Sequence, residues 1–506
     1  MYIHFKQHSQ LSIKRIWGKT DQEVSAICYD SRKVTKESMF VCMSGENHDG
    51  HLYIKEAIVK GAAVIVGENP ERLEEGSQQY PEVTFILTEN ARSFLANISI
   101  IFHGRVHEKI QTVGVTGTNG KTTVAAYVKS LMTNLGMPSG YIGTIGMFTS
   151  KGRIEFSQTT PTTPESIDLH SIFNQMHLQG DELASMEVTS VAIEQKRVEG
   201  ITFDVAIHTN LTPEHLEFHQ TFENYRKAKL KLFRQAKQAV VNMDDEGMSD
   251  EILEIFNGPV LTYSLDKNAK ADVKASNLKM SEAGTVFEMV VRGESYIVRA
   301  PVFGNYNVAN LLAAVCTALH SGFTVQEILP AITMLESPEG RLEVLQEYGN
   351  RNIILDYAHT PPALKNLIKE VKKMPHRRLI VMIAGIGIRD WEKMPQMAQA
   401  IEGEADEIVV SVDHPGFHDP EDIINKVLSG FKNPRAGNIH RAPTRHEGVL
   451  AALNLSSEQD LIVLTSGCIN GAQLVKGERI PHSDKDIIQN YFLFEKESLG
   501  MEYVQG

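Results

Sequence analysis

A chain of 506 residues, 42% hydrophobic and 22% charged, has an ordinary globular composition and is too long for a single hydrophobic core; at roughly 150 residues per domain, about three domains are expected. The formal net charge of -13 repels phosphate backbones, which argues against nucleic acid as a partner. Cys28, Cys42, Cys316 and Cys468 stand far apart without metal-ligand spacing, so neither a disulfide framework nor a zinc site is expected.

Residues 1–20 hold no apolar core, and the longest apolar run, residues 379–388, is about half of what a membrane span needs. No targeting segment or membrane insertion is expected, and a reduced, cytoplasmic location fits the thiols. Residues 1–108 mix short elements: 39–43 read as a strand, 53–60 as a helix and 62–66 as the strand after it. Within this small α/β unit, Asp30-Ser31-Arg32 taken alone reads as a turn with a helix cap. Residues 90–103 predict a helix leading out, and 104–108 a linker.

From 109 to 336, strands expected at 112–115, 183–188, 205–209 and 239–242 alternate with helices expected at 124–135 and 225–235. Such alternation builds a parallel sheet with helices on both faces and ligands at the carboxyl ends of its strands. The first strand runs into Gly114-Val-Thr-Gly-Thr-Asn-Gly-Lys-Thr-Thr-Val124. A strand, a glycine-rich turn and a helix aim backbone N–H groups and a positive helix end at one spot, where Lys121 adds charge and the Thr122 hydroxyl can reach a magnesium ion. Gly117, Thr118, Asn119, Gly120, Lys121, Thr122 and Thr123 thus read as a triphosphate cradle. The usual spacing would place a glycine at 115, where this chain has Val115.

The later motifs also follow strands. In Thr160-Pro-Thr-Thr-Pro-Glu165, Thr162 or Thr163 is the expected N-cap of a helix beginning near Glu165. Met186-Glu-Val-Thr-Ser190 sets the carboxylate of Glu187 at a strand end, where magnesium takes a hard oxygen ligand. His215 and His219 are four apart but lack the His-Glu-x-x-His pattern, which disfavours zinc. Tyr225-Arg-Lys-Ala-Lys-Leu-Lys-Leu-Phe233 reads, from charge alone, as a solvated lysine face. After Ser337-Pro338, strands expected at 352–356, 379–384, 407–412 and 461–465 and helices at 362–374 and 446–453 describe a third α/β sheet domain.

Thr116-Gly-Thr-Asn-Gly-Lys-Thr-Thr123 resembles the ATP site of the Mur ligases, which add amino acids to the peptidoglycan precursor, and matching motifs follow in order over almost the whole chain. Asp30-Ser31-Arg32, Phe40-Val-Cys-Met-Ser-Gly45 and Asp49-Gly-His51 look like the first domain of the branch that adds the third peptide residue, called MurE. The resemblance implies an α/β protein of three domains: a small UDP-sugar-binding domain (1–108), a central P-loop parallel-sheet ATPase domain (109–336) and a C-terminal Rossmann-like domain (337–506) that receives the amino acid.

It further implies that the turn at Ser31 helps hold the uridine end of a UDP-sugar, that Thr162 and Thr163 contact the muramoyl dipeptide, and that Ser190, Gln195 and Arg197 face the substrate. Thr122, Glu187 and His215 would ligate magnesium. Lys229 would react with carbon dioxide to give a carbamate steadying a second magnesium ion, which requires a neutral, partly buried amine. Phe303-Gly-Asn-Tyr-Asn-Val-Ala-Asn310 would bring Asn307 near the adenine, and Gly340-Arg-Leu-Glu343 would bring Arg341 to the terminal phosphate. Asp356-Tyr-Ala-His-Thr-Pro361 would put Asp356 on the nucleotide and His359 near the reaction centre. The expected reaction joins the D-Glu carboxylate of UDP-MurNAc-L-Ala-D-Glu to an amino acid through an acyl phosphate, with ATP and two magnesium ions, in a monomer. Its product would serve cell-wall synthesis, cell shape and division.

The departures are concentrated. Val191 stands where the family often has histidine, and Glu214 and Glu217 where aspartate is commoner. The family's glycine-rich segment becomes Ala384-Gly-Ile-Gly-Ile-Arg-Asp390, which keeps Arg389 but has Ile388 for an acid; Asp-Asn-Pro-Arg becomes Asp413-His414-Pro-Gly416, and Gly-Lys-Gly-His-Glu becomes Ser466-Gly-Cys-Ile-Asn470. These are the segments that grip the incoming amino acid, and neither Gly416 nor Asn470 can pair a distant charge. Three alternatives follow: a paralogue ligating another acid and amine, a folylpolyglutamate synthetase-like enzyme, and a non-catalytic ATP-binding regulator. The UDP-type first domain argues against the second, and retention of Lys121, Glu187, His215 and Lys229 against the third.

The altered acceptor segments predict a preference for small or apolar amino acids over meso-diaminopimelate or lysine, because burying each unmatched charge costs several kcal/mol even after relaxation. Relative kcat/KM across a panel of amino acids measures it. Efficient use of meso-diaminopimelate would show that other residues have taken over the charge pairing.

Overall fold

The structure is a computed structural model that describes residues 1–45, 49–155, 160–214, 216–281, 283–348, 350–466 and 471–498. It divides into two compact units, one of Met1–Lys274, Val290–Glu294 and Asn310–Met334, the other of Ala275–Met289, Ser295–Ala309 and Leu335–Gly506. The first unit takes in the segments expected as the first domain and most of the second.

The first unit holds a two-stranded ribbon, Tyr2–His4 with Asp21–Glu23, and two larger sheets. In the N-terminal one, Ala26–Cys28, Ser38–Val41, Ala62–Gly67 and Thr84–Thr88 run parallel, and Ile13–Trp17 closes the far edge antiparallel to Thr84–Thr88. Val64, Val66, Met39 and Val41 point into a core shared with Phe94, Leu95 and Ile98 of the helix Ala91–Phe102, while Ile65, Phe40 and Phe85 line the opposite face. That two-faced burial is what parallel strands require. Asn90 caps the exit helix by accepting from Ser93 N. The capped-turn reading of residues 30–32 holds: Asp30 accepts from Arg32 N and starts the short 3-10 turn Ser31–Lys33.

The central sheet is ordered Gly152–Arg153, Gly146–Thr149, Ser139–Gly143, Leu183–Glu187, Gln111–Thr116, Phe203–His208, Ala236–Asn242, Val260–Ser264, and is parallel from Ser139–Gly143 onward. The strands expected from the sequence are all parallel, and 139–153 add an antiparallel meander at the edge. Three further strands, Val273–Ser281, Gly284–Val291 and Glu294–Ala300, consist mostly of residues of the second unit. The cap expectation at Thr162 or Thr163 is corrected. The helix Ser166–Gln179 is preceded by Glu165 as N-cap residue, and Thr162 instead adopts a left-handed backbone, φ 64°.

The second unit contains a six-stranded sheet, ordered Glu343–Tyr348, Arg351–Leu355, Leu461–Leu464, Leu379–Ile386, Glu407–Asp413, Ile439–Arg441, with only the first pair antiparallel. All eight residues of Leu379–Ile386 are buried. Leu379, Val381 and Ile383 face Leu364, Leu367, Met397 and Ile423 on one side, and Ile380 and Met382 face Val449, Leu453 and Ile488 on the other. Helices therefore cover both faces, as the period of two along a strand dictates. A small hairpin, Ala472–Val475 with Glu478–Pro481, follows the last sheet strand. Among the described residues no helix is long and apolar enough to cross a membrane.

At the amino end of this sheet, Asp460 accepts from Arg377 Nε (3.0 Å) and Arg378 NH2 (2.8 Å), which ties the entries of two strands together. These hydrogen bonds outweigh burial and hold its carboxyl down at about 2. Asp460→Asn is expected to cost about 2 kcal/mol near neutral pH. The depressed carboxyl stabilises the fold above its unfolded value of about 4, and that contribution is lost as pH falls toward 2. Denaturant melts of parent and variant should therefore converge across that window; a gap that stays constant with pH would exclude the carboxylate as its cause.

Candidate active site

The strand Gln111–Thr116 ends at Gly117, and the helix Lys121–Asn134 begins at once after Gly120, three residues earlier than expected, so that Lys121 sits in its first turn. Both glycines have positive φ, 151° and 85°. A Cβ on Gly117 would run into the Thr209 hydroxyl, and one on Gly120 would lie 2.7 Å from Asn310 Oδ1. The turn is held by the exit of the neighbouring strand: Thr118 N donates to Asn210 O (2.8 Å), Asn119 N to Asn210 Oδ1 (3.0 Å), and Thr209 Oγ1 to Asn119 O (2.6 Å). The first turn of the helix, with Thr122 and Thr123, leaves its N–H groups directed at this spot.

Two lysines meet on one oxygen. Lys121 Nζ donates to Gly117 O and Thr118 O, both at 2.9 Å, and Lys229 Nζ donates to Gly117 O at 2.7 Å. Lys229 is not a solvated face residue: it is 1% exposed and lies 4.6 Å from the Tyr225 ring centroid. Burial, and next the charge of Lys121, push its amine well below the ordinary lysine range, with Glu214 pulling weakly the other way.

Glu187, 1% exposed, ends the strand Leu183–Glu187. Its Oε2 accepts from Thr122 Oγ1 (3.0 Å), and its Oε1 from Tyr141 OH (2.6 Å) and Thr144 N (2.8 Å). Two hard oxygens, the Thr122 hydroxyl and the Glu187 carboxylate, thus stand together beside the turn, a donor pair that suits magnesium. Among the described residues no group of three or more His, Cys, Asp or Glu side chains could hold a metal ion, so phosphate oxygens and water must complete any such site. His215 lies outside the described residues, as do Cys468 and Asn470.

The hydroxyl-rich loop packs against the same strand end: Thr163 Oγ1 donates to Glu187 O (2.9 Å), and Thr162 Oγ1 lies 3.0 Å from Thr144 Oγ1. Arg197 donates to Thr163 O (2.9 Å) and Gln195 Oε1 (2.5 Å), and pairs with Glu165 at 3.6 Å. Ser190 Oγ is 2.9 Å from His219 Nε2. The structure thus gathers Lys121, Thr122, Glu187, Lys229, Thr162, Thr163, Gln195, Arg197 and Ser190 around neighbouring strand ends of one unit. Ser31 is buried in the N-terminal sheet's 3-10 turn, apart from them.

The second unit forms its own cluster at the carboxyl ends of its strands. Asp356, after Arg351–Leu355, accepts from Leu342 N and Ala358 N, both 2.8 Å, and burial raises its carboxyl. Arg341 lies over the Tyr357 ring (5.1 Å), Arg389 donates to Tyr357 OH (3.3 Å), and His359 packs against the same ring, 4.7 Å between centroids. Asn307 Nδ2 donates to Phe303 O (3.0 Å). Asp413 Oδ1 accepts from Gln473 (2.7 Å), and His414 Nδ1 accepts from Leu474 N (3.0 Å). Gly416, φ 62°, donates to Leu474 O (3.0 Å) and accepts from Lys476 N (2.6 Å). A Cβ there would lie 2.7 Å from Ile388 Cγ2. Sequence reasoning missed Tyr141, Thr144, Asn210 and Gln473.

Three family profiles match the chain: "Mur ligase family, catalytic domain" over residues 23–103, "Mur ligase middle domain" over 115–318 and "Mur ligase, glutamate ligase domain" over 340–468. The UDP-N-acetylmuramoyl-L-alanyl-D-glutamate–2,6-diaminopimelate ligase 1 of Clostridium acetobutylicum is 34% identical over 479 residues, 94% of this chain and 96% of the relative. The corresponding ligase of Geobacillus kaustophilus is 34% identical over 474 residues, 92% and 94% of the two chains. A solved structure of a UDP-N-acetylmuramoyl-L-alanyl-D-glutamate–2,6-diaminopimelate ligase superposes with a TM-score of 0.69 at 26% identity, covering 98% of this chain and 99% of the other.

The crowding at Gly117 yields a direct test. Gly117→Ala should weaken ATP binding at least about tenfold, about 1.4 kcal/mol, by titration calorimetry. Unchanged affinity would place the nucleotide elsewhere.

Proposed function

The chain belongs to the Mur ligase family, and from that premise we propose that it is a MurE-type ligase joining the D-glutamyl carboxylate of UDP-N-acetylmuramoyl-L-alanyl-D-glutamate to the amine of an amino acid at the expense of ATP. The observation that carries this reading is the convergence of Lys121 and Lys229 on the Gly117 carbonyl beside the Thr122–Glu187 pair. A buried amine next to a phosphate cradle suits a site that must assemble extra negative charge.

In this account a carboxylate oxygen of the acid attacks the γ-phosphorus, ADP leaves, and the acyl phosphate is opened by the amine with release of phosphate. Lys121 and the helix N-terminus stabilise charge on the transferred phosphoryl group. Thr122 and Glu187 would hold magnesium, which when bound neutralises phosphate charge. Lys229, whose amine burial pushes well below the ordinary lysine range, would add to carbon dioxide through its unprotonated Nζ and lose a proton, which leaves a carbamate anion. Thr162, Thr163, Ser190, Gln195 and Arg197 orient the dipeptide, the turn at Ser31 takes the uridine end, and Asn307, Arg341 and Asp356 serve the nucleotide, leaving little chemistry for side chains beyond positioning. The domains would run 1–108, 109–336 and 337–506, in a monomer working in the cytoplasm.

The two relatives are named for 2,6-diaminopimelate. A second reading, a MurE-like paralogue with a different amine, is favoured by one observation: the backbone at Gly416 is pinned to the hairpin while Ile388 fills the space a side chain there would need. His359, Arg389, Asp413, His414 and Gly416 would line the acceptor site in either case.

Release of phosphate should require ATP, UDP-MurNAc-L-Ala-D-Glu and an amino acid together; release that ignores the UDP-sugar would overturn the assignment. Lys121→Ala should abolish turnover while leaving the fold intact. Lys229→Ala should lose at least about 100-fold in kcat and regain part of it with a short carboxylic acid in solution, since the missing group is an anion. A variant as active as the parent would remove the carbamate from the account.

A further inference from the structure

We infer that Arg445 is a positioning residue for the amine acceptor, a buried guanidinium that fixes the loop after Glu407–Asp413 against the end of Leu461–Leu464. This rests on the reading given above, that the strand ends of the second unit receive the amine.

Arg445 is wholly buried and is the first residue of the helix Arg445–Leu455, which Thr444 and Glu447 already close with a complete capping box. A cation in the first turn opposes the helix dipole, so local helix energetics disfavour it there. Burying a guanidinium is tolerated only when its donors are met, and these donors go elsewhere. Nε and NH2 form a bidentate pair with Asp484 at 2.9 and 2.6 Å, NH1 donates to Thr465 O at 3.1 Å, and NH1 stands 3.9 Å from Asp413 Oδ2.

Each partner leads toward the acceptor loops. Asp484 opens the helix Asp484–Ser498 and also binds His482 Nε2 (2.8 Å). Thr465 is followed by Ser466, which adopts φ 57° and donates through its backbone N to Ala358 O (3.2 Å), next to His359. Asp413 takes Gln473 on its other oxygen (2.7 Å), and the hairpin of Gln473 holds His414 and Gly416 through Leu474 and Lys476. Arg445 thereby bonds to a helix and to the end of one strand, stands 3.9 Å from the end of a second, and meets the hairpin through Asp413, all at the carboxyl edge where a parallel sheet binds ligands.

The test uses the full chain and separates the two half-reactions. Arg445→Lys keeps the charge but loses the fork, Asp484→Asn keeps the shape, and Gln473→Ala leaves the buried pair intact in case Arg445→Lys does not fold. KM is read for ATP, for UDP-MurNAc-L-Ala-D-Glu and for the best of L-alanine, L-lysine and meso-diaminopimelate. Acyl phosphate is read without amino acid by hydroxylamine, whose nitrogen bonds to the acyl carbon as the carbon–oxygen bond to phosphate breaks and a proton passes to phosphate. The amine KM should rise at least tenfold in Arg445→Lys and at least threefold in Asp484→Asn and Gln473→Ala, with the other two KM values within twofold and the hydroxamate yield unchanged. Hydroxamate from the parent with an unmoved amine KM in all the variants, or with every parameter falling together, overturns this inference alone. No hydroxamate from the parent overturns the ligase reading and this inference with it.

Discussion

Two lysines share one carbonyl oxygen, and burial acts on them unequally. Gly117 O accepts from Lys121 and Lys229, and the lysine with 1% exposure is the one whose amine burial pushes well below the ordinary range. In the proposed mechanism that asymmetry divides the labour: Lys121 serves phosphate at the helix N-terminus, and Lys229 is the amine that would take up carbon dioxide beside it. The geometry depends on residue 117 having no side chain, because the Thr209 hydroxyl fills the space where a Cβ would go. It also depends on Asn210, which takes up the Thr118 and Asn119 N–H groups and so fixes the carbonyl that both lysines share.

The same unit binds this cradle to the N-terminal sheet through the loop at 160–165. Arg197 holds Thr163 O and pairs with Glu165, Arg92 of the exit helix reaches Glu165 at 3.5 Å, and Tyr29 OH donates to Asp168 at 3.0 Å. Burial raises Glu165 and lowers Arg197 despite their pairing, so desolvation outweighs the attraction between them. A pair of that kind contributes register rather than much net stability. The loop that would meet the dipeptide is accordingly braced from both sheets, and Thr163 passes that order directly to Glu187 O.

Much of the fold was legible because its signals are local. The glycine-rich turn, the apolar runs of the parallel strands and the helix after each follow from spacing and periodicity within a dozen residues, and the observed strand ends lie within a few residues of those expected. What escaped depends on partners far along the chain. Ser139–Gly143 carries two glycines and no alternating pattern, so nothing marked Tyr141 as a donor to Glu187 across 46 positions. The strand Val273–Ser281 alternates in burial but has no motif to announce it. Lys229 illustrates the limit best, since charge patterning alone put it on a solvated face and only the family resemblance argued otherwise. Arg445 gave no signal at all, because a basic residue at a helix start reads as surface until its buried partners are seen.

The central claim is that ATP is spent on activating a carboxylate, and oxygen transfer tests it most directly. UDP-MurNAc-L-Ala-D-Glu labelled with oxygen-18 in the reacting carboxylate would be turned over with ATP and an amino acid, and the released phosphate examined by mass spectrometry or by phosphorus NMR. An acyl phosphate route moves one labelled oxygen into phosphate for every amide formed. Phosphate released without label, alongside amide, would contradict the account.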